Sequence, residues 1–324
     1  MKTRIVFMGT PEFAVPVLES LWRAEYDVVA CVTQPDKPIG RHMKLSPPPV
    51  KQFAENHHIL CSQPASVRTD LFIEQMTNWE PDLIITAAYG KILPQAILDI
   101  PKLGCLNVHA SLLPKYRGAA PVHWAIMQGE TKTGVTIMKT DAGMDTGAIL
   151  TKAEIELDPN IHTPQLTVAL SELGANLLLT TIPEYLSGAC KPRPQDEQTA
   201  TCFPMIRKEQ GEINWHQSAR QIHNQIRALS AWPGAYTYLN GERFKIYRSE
   251  VATEALAGKG EEIQASLPRE PGKIAFVDKK NMAVACGEGY LFLTCVQPAS
   301  SRKMDIAECA HNYHIGLVFS GEEV

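Results

Sequence analysis

A change of rhythm partway along the chain constrains its fold more than any other feature. Up to about residue 190, short apolar, β-branched runs alternate with stretches of helical period. The runs at 4–8, 28–33, 59–61, 82–87, 103–109, 133–139 and 148–157 read as strands. A helical pattern follows the Gly9-Thr10-Pro11 turn as far as Trp22, and others cover 50–57, 67–79, 122–128 and 163–186. Strands alternating with helices at this spacing predict an α/β domain with a mostly parallel sheet covered on both faces. Beyond the Pro- and charge-rich stretch Lys191-Pro192-Arg193-Pro194-Gln195-Asp196-Glu197-Gln198 the rhythm changes. One helix over 218–229 precedes five short runs at 235–239, 244–249, 272–277, 283–286 and 290–296. Turn pairs such as Asn240-Gly241 and Cys286-Gly287 separate some of them, and the set predicts a small β-barrel. The expected organisation is therefore a domain over 1–190, a linker over 191–205 and a second domain over 206–324.

Composition narrows the class. With 324 residues, 44% hydrophobic and 20% charged, the chain is an ordinary globular sequence long enough for two cores. No run approaches the roughly 18 apolar residues of a membrane span. The N-terminus reads as a first strand instead of a leader, so a cytoplasmic protein is expected. Eight cysteines are dispersed with no CxxC pair, which points to reduced thiols and indicates no zinc site or other metal. A formal charge of −4 argues against broad coating of nucleic acid, although it leaves room for a few phosphate contacts and a modest salt dependence.

The first turn, Gly9-Thr10-Pro11-Glu12-Phe13, lacks the second and third glycines of a dinucleotide fingerprint, and no phosphate-binding G-x-x-x-x-G-K-[ST] occurs. A nicotinamide or nucleoside-triphosphate cofactor is not expected. The chemistry instead gathers where an apolar strand runs into Asn107 and His109, two residues apart and so on one face of the strand. Downstream, the glycine-rich loop Asp141-Ala142-Gly143-Met144-Asp145-Thr146-Gly147 offers two carboxylates, either of which could orient the imidazole. Asn, His and Asp together suit attack on a carbonyl carbon: the amide donates to the developing oxyanion and the histidine relays a proton. No nucleophile signal such as G-x-S-x-G accompanies them, and Cys105 lies deeper in the apolar strand. Direct transfer between two bound substrates follows.

The run Asn107-Val108-His109-Ala110-Ser111-Leu112-Leu113-Pro114-Lys115-Tyr116-Arg117-Gly118-Ala119-Ala120-Pro121 resembles the signature of the folate-dependent formyltransferase family. Phe7-Met8-Gly9-Thr10-Pro11-Glu12-Phe13-Ala14, Gln34-Pro35-Asp36-Lys37-Pro38, Tyr89-Gly90-Lys91-Ile92-Leu93-Pro94, Met144-Asp145-Thr146-Gly147 and Trp232-Pro233-Gly234-Ala235-Tyr236-Thr237 agree with it. The resemblance implies a Rossmann-like formyltransferase domain followed by an OB-like β-barrel. It implies Asn107, His109 and Asp145 as the catalytic trio, with Asp145 the histidine's partner, and Ser111, Leu112, Leu113 and Pro114 lining the folate site. Read without it, that tetrapeptide is only a turn leaving a strand. The reaction implied moves the formyl group of 10-formyltetrahydrofolate to the α-amine of methionine on initiator tRNA. A monomer is expected.

The stretch 35–49 carries Lys37, Arg41 and Lys44 against one acid, Asp36, and its prolines are expected to keep it irregular. In the resembling family this loop meets the acceptor end of the tRNA, which carries over most directly to Arg41. The family commonly has Gly-Arg-Gly where this chain has Gly40-Arg41-His42, and Met43, Met205 and Asn214 also depart from its usual residues. Arg207, Lys208, Arg243, Lys245 and Arg248 are the candidate phosphate contacts of the second domain. Strand alternation sets Arg243 and Lys245 on one face and Phe244, Ile246 and Arg248 on the other. The rival reading is a folate-dependent transferase or hydrolase acting on a non-tRNA amine or on water.

Overall fold

The structure, a computed structural model, describes residues 2–39, 44–252 and 267–321. It divides into two compact units, and neither is a single stretch of chain. One comprises 1–121, 132–156 and 166–204; the other comprises 122–131, 157–165 and 205–324.

The first unit is built on a seven-stranded sheet. Its strands are β1 (Arg4–Gly9), β2 (Asp27–Val32), β5 (Cys61–Ser62), β6 (Leu83–Ala87), β7 (Cys105–His109), β9 (Lys132–Lys139) and β10 (Ile149–Glu156). The spatial order is β10-β9-β7-β6-β1-β2-β5, in which β5, β2, β1, β6 and β7 run parallel and β9 and β10 are antiparallel. β6 is buried along its whole length, the reason its sequence is uniformly apolar but for Thr86. The chain leaves β1 toward β2 and returns on β1's other side as β6. The crevice outside the carboxyl ends of these two strands is thus the sheet's switch point, where open α/β sheets bind ligands.

The stretch 35–49 departs from the irregular loop expected of it. β3 (Lys37–Ile39) and β4 (Lys44–Ser46) pair antiparallel, with Pro38 opposite Leu45. An isolated two-stranded ribbon has two edges, and a proline is tolerated where its missing N–H would face away from the partner. The long helix α6 (Thr163–Leu186) is, by length and composition, sufficient to cross a membrane, contrary to the expectation that no such run exists. Its apolar side chains are used in packing: Leu166, Leu170, Leu178 and Ile182 are fully buried. Gly174 lets it approach the sheet so closely that a Cβ there would lie 2.7 Å from Val108. The Ser171 hydroxyl donates to the Phe13 carbonyl at 3.0 Å and the Tyr185 hydroxyl to that of Leu103 at 2.6 Å, as expected of a core helix.

The second unit holds the antiparallel sheet that the short runs predicted. Its main strands are β12 (Ala235–Leu239), β13 (Glu242–Val251), β14 (Ile274–Val277), β15 (Met282–Ala285), β16 (Tyr290–Gln297) and β18 (Phe319–Ser320), in the order β14-β15-β16-β13-β12-β18. The sheet curls until its two ends meet, with Ile274 N–H donating to Leu317 O at 2.7 Å and Phe319 N–H to Gly272 O at 2.8 Å. An OB-like barrel results. Helix α7 (Ala219–Ala228), started by a Ser218 capping box, lays Ile222 and Ile226 on Phe244 and Ile246. Phe319 lies between Trp215 and Phe244, at ring separations of 5.7 and 5.1 Å.

His223 on α7 makes this unit sensitive to acid. Its Nε2 donates to the Pro159 carbonyl at 3.3 Å and its Nδ1 accepts from the Ser249 hydroxyl at 3.0 Å, so the neutral ring is satisfied. Burial, and then the Arg227 guanidinium, push its pKa down to about 4. Between that value and the ordinary histidine pKa of about 6.5, the unfolded chain binds more protons than the folded one, so stability falls as pH falls. The contribution is complete above the upper value and is lost progressively down to the lower, in all about 3 kcal/mol. Chemical denaturation at pH 7 and pH 4.5 should show a markedly smaller acid loss for His223→Gln than for the parent. An unchanged loss would remove His223 as its source.

Candidate active site

Three loops meet outside the carboxyl ends of β1, β2 and β6. The Tyr89 carbonyl accepts from Thr10 Oγ1 at 3.2 Å and Gln34 Nε2 at 3.1 Å, while Gln34 N–H donates to Thr10 Oγ1 at 3.3 Å. Behind Gln34, Lys51 Nζ lies 3.0 Å from Asp36 and Gln63 Nε2 donates to the same carboxylate at 2.8 Å; these bonds hold its pKa below the usual range. The one acid of the 35–49 stretch is thereby neutralised within the fold. Burial pushes the Tyr89 hydroxyl up to about 12, so it stays protonated.

Beside this junction β7 presents Asn107 and His109. Asn107 lies opposite Thr86 in the parallel pairing of β6 and β7, and the Thr86 hydroxyl donates to Asn107 Oδ1 at 2.9 Å. That bond fixes which way the amide faces and leaves its N–H₂ as the outward donor. His109 is nearly fully buried. Its Nε2 lies 3.0 Å from the Tyr116 carbonyl, which can only accept, so Nε2 carries a hydrogen and donates. Its Nδ1 is 3.6 Å from Asp145 Oδ1, an ion-pair separation beyond a direct hydrogen bond. The other carboxylate oxygen, Oδ2, accepts from the Gly118 N–H at 2.8 Å.

Two features of the loop aim Asp145. Its φ is +56°, a left-handed conformation that Asp tolerates better than most residues. Gly147 then passes so near β9 that a Cβ would sit 1.8 Å from the Lys139 carbonyl oxygen. Spacing alone left Asp141 and Asp145 equivalent, and the structure separates them. Asp141 Oδ1 is taken up within the loop by Gly143 N–H at 3.0 Å and Thr146 Oγ1 at 2.8 Å. Cys105 belongs to the core, its thiol pushed up to about 12 by burial, and supplies no thiolate.

The tetrapeptide after β7 divides in two. Ser111 and Leu113 are fully buried, so their side chains line no accessible surface; Ser111 Oγ donates to the Lys115 carbonyl at 2.8 Å. Thr136 of β9 braces the turn, donating to Ser111 O at 2.7 Å and accepting from Leu113 N–H at 3.1 Å. Lys152 Nζ donates to the Leu113 carbonyl. Leu112 and Pro114 are half-buried and remain the members able to touch a ligand.

Among the basic candidates, Lys37 and Lys44 are exposed on the β3–β4 ribbon, and Arg41 lies outside the described residues. Arg207 and Lys208 are exposed at the start of a short 3₁₀ turn. The guanidinium of Arg243 stacks 3.6 Å from the Tyr236 ring centroid and Lys245 is half-buried. Arg248 departs from the face expected of it. The β13–β16 register shifts on both sides of Arg248, and this bulge turns Arg248 outward while Ser249 goes inside. Sequence reasoning missed Thr86, Tyr116, Gly118 and Gln195. Thr86 alone left a signal, as the polar residue of an otherwise apolar buried strand.

A mostly parallel sheet with a switch-point crevice, an amide whose oxygen is held by Thr86 and a histidine–carboxylate pair stand together, and the chain belongs to the formyl transferase family. The family model described as formyl transferase matches residues 2–182 and that for its C-terminal domain matches 205–314. The methionyl-tRNA formyltransferase of Acetivibrio thermocellus is 48% identical over 97% of this chain and 99% of its own length. The N-formyltransferase from Helicobacter canadensis, solved with folinic acid and dTDP-3-aminofucose, shares the fold at a TM-score of 0.63 and 19% identity, over 94% of this chain and 100% of that one. HypX from Aquifex aeolicus, solved with tetrahydrofolic acid, gives a TM-score of 0.60 at 18% identity over 95% of this chain. The chain spans 47% of HypX's length.

Proposed function

We propose that this chain formylates the α-amine of methionine esterified to initiator tRNA, using 10-formyltetrahydrofolate, as a monomer in the bacterial cytoplasm. The likeness to methionyl-tRNA formyltransferases over nearly the whole of both chains carries the choice of acceptor. The chemistry rests on the site. Asn107 Nδ2 makes no hydrogen bond among the described residues while its Oδ1 is held by Thr86, a donor set that fits a carbonyl oxygen brought by the co-substrate. Asn107 donates to the formyl oxygen as negative charge gathers there. A free α-amine has a pKa of about 8, so much of it is neutral and able to attack near neutral pH. The proton it then sheds passes to the His109–Asp145 pair, whose carboxylate is the more accessible member, and is delivered to N10 of the folate as its bond to the formyl carbon breaks and tetrahydrofolate leaves. Half-buried Leu112 and Pro114 pack against the folate, with Ser111 and Leu113 supporting the turn from behind.

On this reading the stretch 35–49, with Lys37, Arg41 and Lys44 in its sequence, meets the acceptor end of the tRNA, and Arg207, Lys208, Arg243, Lys245 and Arg248 meet its phosphates. Arg41→Leu should lower kcat/KM for methionyl-tRNA about tenfold, the worth of one charge-assisted contact, with the KM for folate within twofold. Equal losses toward both ligands would reject the assignment of the 35–49 stretch. The acceptor is tested by comparing methionyl initiator tRNA with an amino-sugar nucleotide under the same conditions. Preferred turnover of the sugar amine would establish the rival folate-dependent activity instead.

A further inference from the structure

The stretch 193–203, with the composition of a linker, is bound along the first unit as a strap that touches both segments holding the His109–Asp145 pair. Arg193 and Ile149 exchange backbone hydrogen bonds at 2.8 Å. Further on, Arg117 N–H donates to Thr201 O at 2.8 Å and Ala119 N–H to Phe203 O at 3.1 Å, forming a short parallel ladder. Tyr116 N–H donates to Thr201 Oγ1 at 2.8 Å, and the Tyr116 and Phe203 rings stack at 5.1 Å. The approach is close by construction: a Cβ on Gly118 would lie 2.6 Å from the Phe203 carbonyl oxygen. This fixes the segment whose Tyr116 carbonyl takes His109 Nε2 and whose Gly118 N–H takes Asp145 Oδ2.

Gln195 joins that segment to the other. Its Nε2 donates to the carbonyls of both Asp145 and Gly147, at 2.7 Å each, and its Oε1 accepts from Arg117 Nε at 3.0 Å. Arg117 is itself buried and is held by a two-pronged bond to Glu197, at 2.9 and 2.7 Å. From this network we infer that Gln195, oriented by Arg117 and Glu197, is a positioning residue for Asp145. The residues of the 141–147 loop lie outside the named strands, and Asp145 holds a left-handed conformation there, so its carbonyl depends on a side-chain donor. Gln195 is that donor, and it ties the carboxylate to the segment that orients the imidazole. The inference rests on the reading of Asp145 as part of the proton-accepting pair.

Gln195→Met keeps the length of the side chain and removes both donors. We expect kcat to fall about tenfold, since misplacing a reacting group by a fraction of an ångström has effects of that order. The KM values for folate and tRNA should stay within twofold. In an Asp145→Asn background the same substitution should cost less than twofold, because the group it positions is already disabled. Glu197→Gln, at an exposed position, provides a second variant with a smaller kcat loss of the same kind and the same non-additivity. A kcat within twofold of the parent for Gln195→Met, or a loss repeated in full beside Asp145→Asn, would overturn the inference. If Asp145→Asn alone kept the parent's kcat, the reading of Asp145 would fall first, whatever Gln195 did.

Discussion

Asn107→Ala should lower kcat for formyl transfer about 10²–10³-fold, equivalent to about 3–4 kcal/mol of lost oxyanion stabilisation. The magnitude follows from the position of the amide at the carboxyl end of β7, turned by Thr86 so that its N–H₂ is the free donor. Stability should change little. Asn107 is only half-buried, and the Thr86 hydroxyl released by the substitution still has the Leu106 carbonyl at 3.3 Å. Binding of tRNA should persist, since the role proposed for the lost group is at the formyl oxygen. Steady-state kinetics beside a thermal melt and a tRNA-binding titration check all three. Near-normal turnover would exclude the oxyanion role.

Asp145→Asn should cost a similar amount, about 10²–10³-fold, within the range of a lost proton acceptor. It is the cleanest probe of that group. Asparagine tolerates the left-handed backbone at this position as well as aspartate does, and its carbonyl can still accept from Gly118 N–H. Geometry is thus preserved while the charge facing His109 Nδ1 is removed. Asp145→Ala would mix the chemical loss with backbone strain. The matching change at Asp141 should leave kcat within about twofold and chiefly loosen the loop, because the hydrogen bonds of Asp141 among the described residues are to Gly143 and Thr146. If the two substitutions behaved alike, the separation of their roles would be refuted.

The features of the protein legible in the sequence are those written as periodicity. The strand and helix runs gave the parallel sheet and the barrel because burial imposes period 2 or 3.6 on the residues themselves. The two-residue spacing of Asn107 and His109 placed them on one face for the same reason. Features built from backbone groups left no such trace. Gln195 recognises two carbonyls, which every residue has, so a strap of prolines and charges read as a linker. The bulge around Arg248 reversed the face expected of it because an inserted register shift is invisible to a strict alternation. The choice between Asp141 and Asp145 turned on a loop conformation set by Gly147 against Lys139, a close approach that no spacing rule encodes. Helix α6 gave the opposite difficulty: its period reads as amphipathic, yet its length and composition also suffice for a membrane span, and only its buried leucines show that protein covers its apolar face.

On the proposed function, the formyl group passes directly between two bound substrates at Asn107, His109 and Asp145, with no nucleophile of the protein intervening. A single-turnover reaction tests it most directly. The protein is mixed with 10-formyltetrahydrofolate labelled in its formyl carbon and with methionyl initiator tRNA, and label on folate, protein and methionine is followed through time. Label should leave the folate and appear on the methionine amine at one rate, with none on the protein at any time. Label that accumulates on the protein and then chases into methionine, or that never reaches methionine, would contradict it.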